Sequence, residues 1–169
     1  FKERITRSGD SVFDQWLRWG GIEADFEGFT DEHAAWLRKL PAMALVGNAL
    51  LIHADALIYV NYGMTIERVN QGFFDLMASS DLAAWEVALS AFSEHMAFAS
   101  LELTGRQRAE QLLSLFGGEL LVHGHTPIPQ ARQINAENVV EAWRYAGDRC
   151  LNVDGGIYMG SPGFVHRLH

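Results

Sequence analysis

Leu120-Leu121-Val122-His123-Gly124-His125-Thr126-Pro127 decides how this chain is read. An apolar run leads into a His, a Gly and a second His, and a Pro closes the stretch. A buried strand is expected over 119–123, delivering an imidazole to the loop behind it. Gly124 lets the backbone take conformations closed to other residues and brings a ligand close. An imidazole there supplies a neutral nitrogen ligand for a transition metal, or a general acid and base. Ala49-Leu50-Leu51-Ile52-His53-Ala54-Asp55 ends the same way. A third apolar run closes on the polar exit Asn152-Val153-Asp154-Gly155-Gly156. In α/β folds ligands collect in a crevice at the strand ends, so three such exits predict one site.

Outward from these exits, 42–46 and 49–53 read as two strands joined by Gly47-Asn48, a two-residue hairpin signal. Segments 139–146 and 149–153 flank Gly147-Asp148 as a second hairpin, and 157–159 and 164–168 flank Ser161-Pro162-Gly163 as a third. Pro127 and Pro129 are expected to force an extended, turning path. The texture between His53 and Leu120 is helical. Ile66, Val69, Phe73, Leu76 and Met77 follow Thr65, with Gly72 weakening the stripe. Leu82, Trp85, Leu89, Phe92 and Met96 follow Ser80-Asp81. Ala109, Leu112, Leu113 and Phe116 follow Thr104 and stop at Gly117-Gly118. Such stripes are core, or a cover over a site. Nearer the start, Val12, Phe13, Trp16, Leu17 and Trp19 have helical spacing, and 22–29 reads as a loop. Thr30 caps an expected helix over 31–40 that turns Ala34, Leu37 and Trp36 or Leu40 inward and ends at Pro41.

At 169 residues, 49% of them hydrophobic and 20% charged, the chain predicts one ordered domain with a sizeable core. A net charge of -8 with scattered basic residues excludes a nucleic-acid partner, which needs a basic footprint. No apolar run approaches the roughly 18 residues of a membrane span, so no membrane partner is expected. The lone Cys150 excludes an internal disulfide and fits a reducing, cytoplasmic setting. The chain opens at Phe1 on a charged, poorly patterned lead, which predicts a piece of a longer protein.

The series "LLIHAD … LLVHGHTP … LNVDGG" resembles the C-terminal half of the calcineurin-like metallophosphoesterases. It is most similar to their phosphoprotein-phosphatase and bis(5′-nucleosyl)-tetraphosphatase branch. "WLRWGG" and "HAAWLRKLP" also look like bacterial members, so the likeness spans nearly the whole chain in order. The resemblance implies an α/β fold, a layered β-sandwich flanked by helices. Residues 1–169 would be the C-terminal part of that single domain, with a helical cover at about 65–117.

Position by position, the resemblance makes His53 and His125 ligands of the same one of two divalent metals. Pro127 stands where many members carry the further His of Gly-His-x-His, which points to the phosphatase-like branch. It assigns no metal role to His123, read as a structural or supporting residue although His-x-His is a conceivable chelate. Asp154 matches the Asp of Asp-x-Gly and is expected either to hold a ligand imidazole or to make an Asx-type turn. Asp55 replaces a small residue of the motif and is expected to shape its loop or to approach the metal. His33, His95, His166 and His169 are read as surface or satisfied residues.

The family's Gly-Asp-x-His-Gly, Gly-Asp-x-x-Asp-Arg-Gly and Gly-Asn-His-Glu motifs have no counterpart in the chain, so its catalytic acid and remaining ligands are expected outside it. The resemblance implies a hydrolase that cleaves phosphoric esters with a water activated by two divalent ions, Mn, Fe, Zn or Mg. Nitrogen ligands favour the transition metals. The substrate would be a phosphoprotein, a dinucleoside polyphosphate or a small phosphomonoester, and this chain alone would be inactive. Competing readings are a non-catalytic interaction domain that keeps the fold and a mononuclear zinc site of His53, His123 and His125.

Overall fold

The computed structural model describes residues 11–18, 21–99 and 103–168. Trp19 and His169 lie outside them. The centre is a five-stranded mixed sheet of β1 (Met43–Val46), β2 (Ala49–Ala54), β3 (Leu120–Gly124), β4 (Trp143–Tyr145) and β5 (Cys150–Asn152). Its order is β1-β2-β3-β5-β4. Gly47-Asn48 turns β1 back on β2 as an antiparallel hairpin, with Val46 opposite Ala49. β4 and β5 form the second expected hairpin, shorter than its apolar pattern. β2, β3 and β5 run parallel side by side, so their C-terminal ends open at one edge.

Side chains alternate across these strands. Leu50, Ile52, Leu121 and Cys150 point into the main core, while Ala49, Val122 and Leu151 form a small cluster on the other face. The main core is completed by three helices between β2 and β3: α4 (Ile66–Ala78), α5 (Leu82–Phe92) and α6 (Leu103–Phe116). Thr65 and Asp81 cap α4 and α5 through their side-chain oxygens. Val69, Phe73 and Leu76 of α4 and Ala109, Leu112, Leu113 and Phe116 of α6 are buried, as the stripes predict. Gly72 is tolerated inside α4 for a packing reason, because a Cβ there would meet the Tyr62 ring at 2.7 Å. Among the described residues, no helix is long and apolar enough to cross a membrane.

Four expectations fail locally. Before the sheet, α1 (Val12–Arg18) is followed by a short α2 (Glu23–Glu27) where a loop is expected. α3 (Asp31–Leu37) forms behind its Thr30 cap but buries none of its residues among the described ones, with Trp36 61% exposed. After β3 the chain turns into α7 (Ile128–Arg132) instead of an extended path, since Pro129 sits in its first turn, where a missing N–H costs nothing. The last hairpin does not form. Ile157–Met159 is a 3₁₀ turn, 164–168 form no strand, and Val165 is 99% exposed. The described residues build one sheet; a second sandwich layer is not among them.

Candidate metal site at the strand exits

His53 sits one residue before the end of β2, inside a register shift between Leu51 and Ala54 against β3. Such irregularities re-aim a side chain, and here the imidazole is exposed beside the β3 exit. Ala54 behind it is anchored, its N–H donating to the Tyr59 hydroxyl at 2.8 Å. Burial pushes that phenol up to about 12.

His125 comes from the next loop on a backbone that L-residues avoid, with φ 69°. The Thr126 N–H donates to the Gly124 carbonyl at 2.9 Å, closing a three-residue γ-turn with His125 at its apex. The positive-φ form of that turn is rare and strained. Gly124 itself has neither a positive φ nor a tight neighbour; a Cβ there would meet Asp154 at an ordinary 3.5 Å. The unusual conformation expected of the glycine is carried by the histidine after it.

The two imidazoles face each other edge to face, ring centroids 5.2 Å apart. The Phe92 backbone lies beside the His125 ring. Its Nε2 is buried with no hydrogen-bond partner among the described residues. Burial first, and then His53 and His95 nearby, hold this imidazole below its ordinary pKa. A neutral ring with a bare, buried nitrogen has a lone pair that a metal could take.

Strain of this kind persists only where surroundings over-determine it, and Thr126 supplies the constraint. Its hydroxyl donates to Asp55 Oδ1 at 2.6 Å, and its carbonyl accepts from Asn152 Nδ2 at 2.7 Å. The exits of β2, β3 and β5 are thus tied together at one threonine. Asp55 is 1% exposed and also accepts the Met96 N–H at 2.8 Å, so it shapes the loop rather than approaching a metal. Asp154 accepts from the N–H of Gly156 at 3.0 Å, the Asx-type turn, and its own carbonyl accepts from Ile128.

His123 is spent elsewhere. It is 1% exposed, its Nδ1 lies 3.0 Å from the Gly124 carbonyl, and its Nε2 lies 2.6 Å from the Tyr145 hydroxyl. Nδ1 therefore donates, Nε2 accepts, and no lone pair remains for a metal. Burial lowers its pKa and pushes the neighbouring Cys150 thiol up to about 12. Of the remaining histidines, His33 caps α3 and His166 lines a pocket at the opposite end of β3 and β5.

His95 is the residue the sequence reading missed. It stacks on His125 with centroids 4.8 Å apart and planes 9° from parallel, its Nδ1 3.0 Å from the Thr126 hydroxyl. Nothing in its spacing signals this, because it lies in the turn after α5, far along the chain from either ligand. Among the described residues, no group of three or more His, Cys, Asp or Glu side chains is arranged to hold a metal ion. The chain matches no protein-family model, no curated protein and no solved structure.

Proposed function

We propose that this chain is the C-terminal half of a metal-dependent phosphoric-ester hydrolase of the metallophosphoesterase kind, its sheet one layer of a sandwich, and that His53 and His125 hold one of two divalent cations. The observation that carries this reading is His125 Nε2, buried and unpartnered among the described residues, on a ring whose centroid lies 5.2 Å from that of His53. The resemblance of the three strand exits supplies the reaction class. Two cations, when bound, clamp the phosphoryl oxygens and supply a nucleophilic water near neutral pH.

The chain's own residues prepare that site. The Phe92 backbone lies beside the His125 ring. Asp55, Thr126 and Asn152 hold the strained turn that aims it. Phe92 also packs edge-on against His53, centroids 6.3 Å apart. The substrate is a phosphorylated molecule, whether phosphoprotein, dinucleoside polyphosphate or small monoester. The engaged nitrogens of His123 argue against the mononuclear alternative that would use it.

The test is His125→Ala in the full-length protein. Manganese-dependent hydrolysis of p-nitrophenyl phosphate should disappear, and retained activity would reject the reading.

A further inference from the structure

The end of α5 and the turn behind it touch both candidate ligands. The Phe92 backbone lies beside the His125 ring, the Phe92 ring packs on His53, and the His95 ring stacks on His125. The hydrogen bonds give His95 a direction. Thr126 has one hydroxyl proton and donates it to Asp55, so the hydroxyl oxygen accepts from His95. Asp55, Thr126 and His95 thus form a directed chain, in which a buried carboxylate fixes a hydroxyl and the hydroxyl fixes an imidazole as its Nδ1–H tautomer. Asp55 also accepts from the Met96 N–H, so the residue after His95 is tied to the same carboxylate.

We propose that His95 is a positioning residue for His125, through which the helical segment between β2 and β3 sets the geometry of the metal ligand. Its ring fixes the plane of the His125 imidazole by stacking. Its Nδ1–H fixes Thr126, whose backbone closes the strained turn that His125 crowns. Removing His95 loosens both the ring and the turn at once. The effect falls on ligand orientation more than on the fold, because His95 is itself exposed. This inference rests on the reading of His125 as a metal ligand.

Two measurements test it. The first needs no metal: long-range ¹H–¹⁵N correlation spectra of the ring nitrogens of the metal-free full-length protein at pH 8. His95 should be the Nδ1–H tautomer in the wild type and revert toward the Nε2–H form in Thr126→Val. A wild-type His95 already in the Nε2–H form overturns the proposal. The second is cobalt(II) titration of the full-length protein, followed by its visible absorption. Residues that orient a ligand typically change metal affinity by about 10- to 100-fold. His95→Ala should therefore weaken cobalt binding at least about tenfold and shift the absorption bands at saturation. His95→Asn, whose amide occupies the Nδ1 position, should recover part of the loss. Wild-type affinity in His95→Ala, or no recovery in His95→Asn, overturns the proposal. His125→Ala separates the two failures. If it binds cobalt as the wild type does, the metal reading falls and takes the proposal with it. If it loses cobalt while His95→Ala does not, the proposal alone falls.

Discussion

The hydroxyl of Thr126 donates to the carboxylate of Asp55 at 2.6 Å, joining the loop after β3 to the loop after β2 with both side chains 1% exposed. A buried carboxylate deprived of a donor bears a desolvation cost.

Thr126→Val keeps the shape and removes that donor. Unfolding in urea should show a loss of about 2 kcal/mol, the size of a buried hydrogen bond to a charged group. Thr126→Ser, which keeps the hydroxyl, should lose clearly less. Equal losses would mean that the methyl contact, not the hydrogen bond, holds the loops together.

His123 and His125 should separate cleanly. His123→Ala removes a buried ring bonded to Tyr145 and leaves that phenol unsatisfied, so stability should fall by about 2–4 kcal/mol. Cobalt binding by the refolded full-length protein should persist. Abolished binding in a folded His123→Ala variant would revive the mononuclear zinc site.

Stability should also depend on pH in a defined direction. Burial lowers the folded-state pKa of both His123 and His125 from 6.5. Above that value both states are neutral and the two groups add no slope. As the pH falls below 6.5, the unfolded chain takes up protons that the folded chain resists, so stability declines until the lower folded pKa values are reached. Urea midpoints should therefore drop between pH 7.5 and pH 5.5, and drop less in His123→Gln. An identical drop in that variant would assign the effect to other groups.

Gly72→Ala tests the fit of α4 against Tyr62. In an open helix the change gains up to about 1 kcal/mol. Here the new methyl meets the Tyr62 ring at 2.7 Å, so a loss of about 1–3 kcal/mol should appear in thermal unfolding. A gain would show that the ring yields freely.

What was legible in the sequence was periodic or punctuated. Gly47-Asn48 sits where β1 turns into β2, and the stripes of α4 and α6 face the core, because each signal acts within a few residues; in α5 it is Ala88, outside the expected stripe, that is buried. The strand exits at His53, His125 and Asn152 were legible for the same reason. The site's internal wiring was not. His95 reaches His125 only because α5 ends beside β3, and Thr126 bonds Asp55 and Asn152 only because three parallel strands end together. The stretch after Gly156 misled for the converse reason: Ser161-Pro162-Gly163 between two apolar runs resembled a hairpin, but 164–168 form no strand. Even the glycine beside the site was misjudged, since the unusual φ belongs to His125.

The placement of α4, α5 and α6 between two adjacent parallel strands also sets an order of assembly. β2 and β3 are neighbours in the sheet, yet all three helices lie between them in the chain. Closing so long a loop costs entropy before the strand contacts return any stabilisation, which makes such pairings slow. The topology predicts that His53 and His125 meet only once β2 and β3 pair across that long loop. The imidazole pair is a reporter of completed folding, and a nascent chain that has not yet finished the β3 strand carries only half of it.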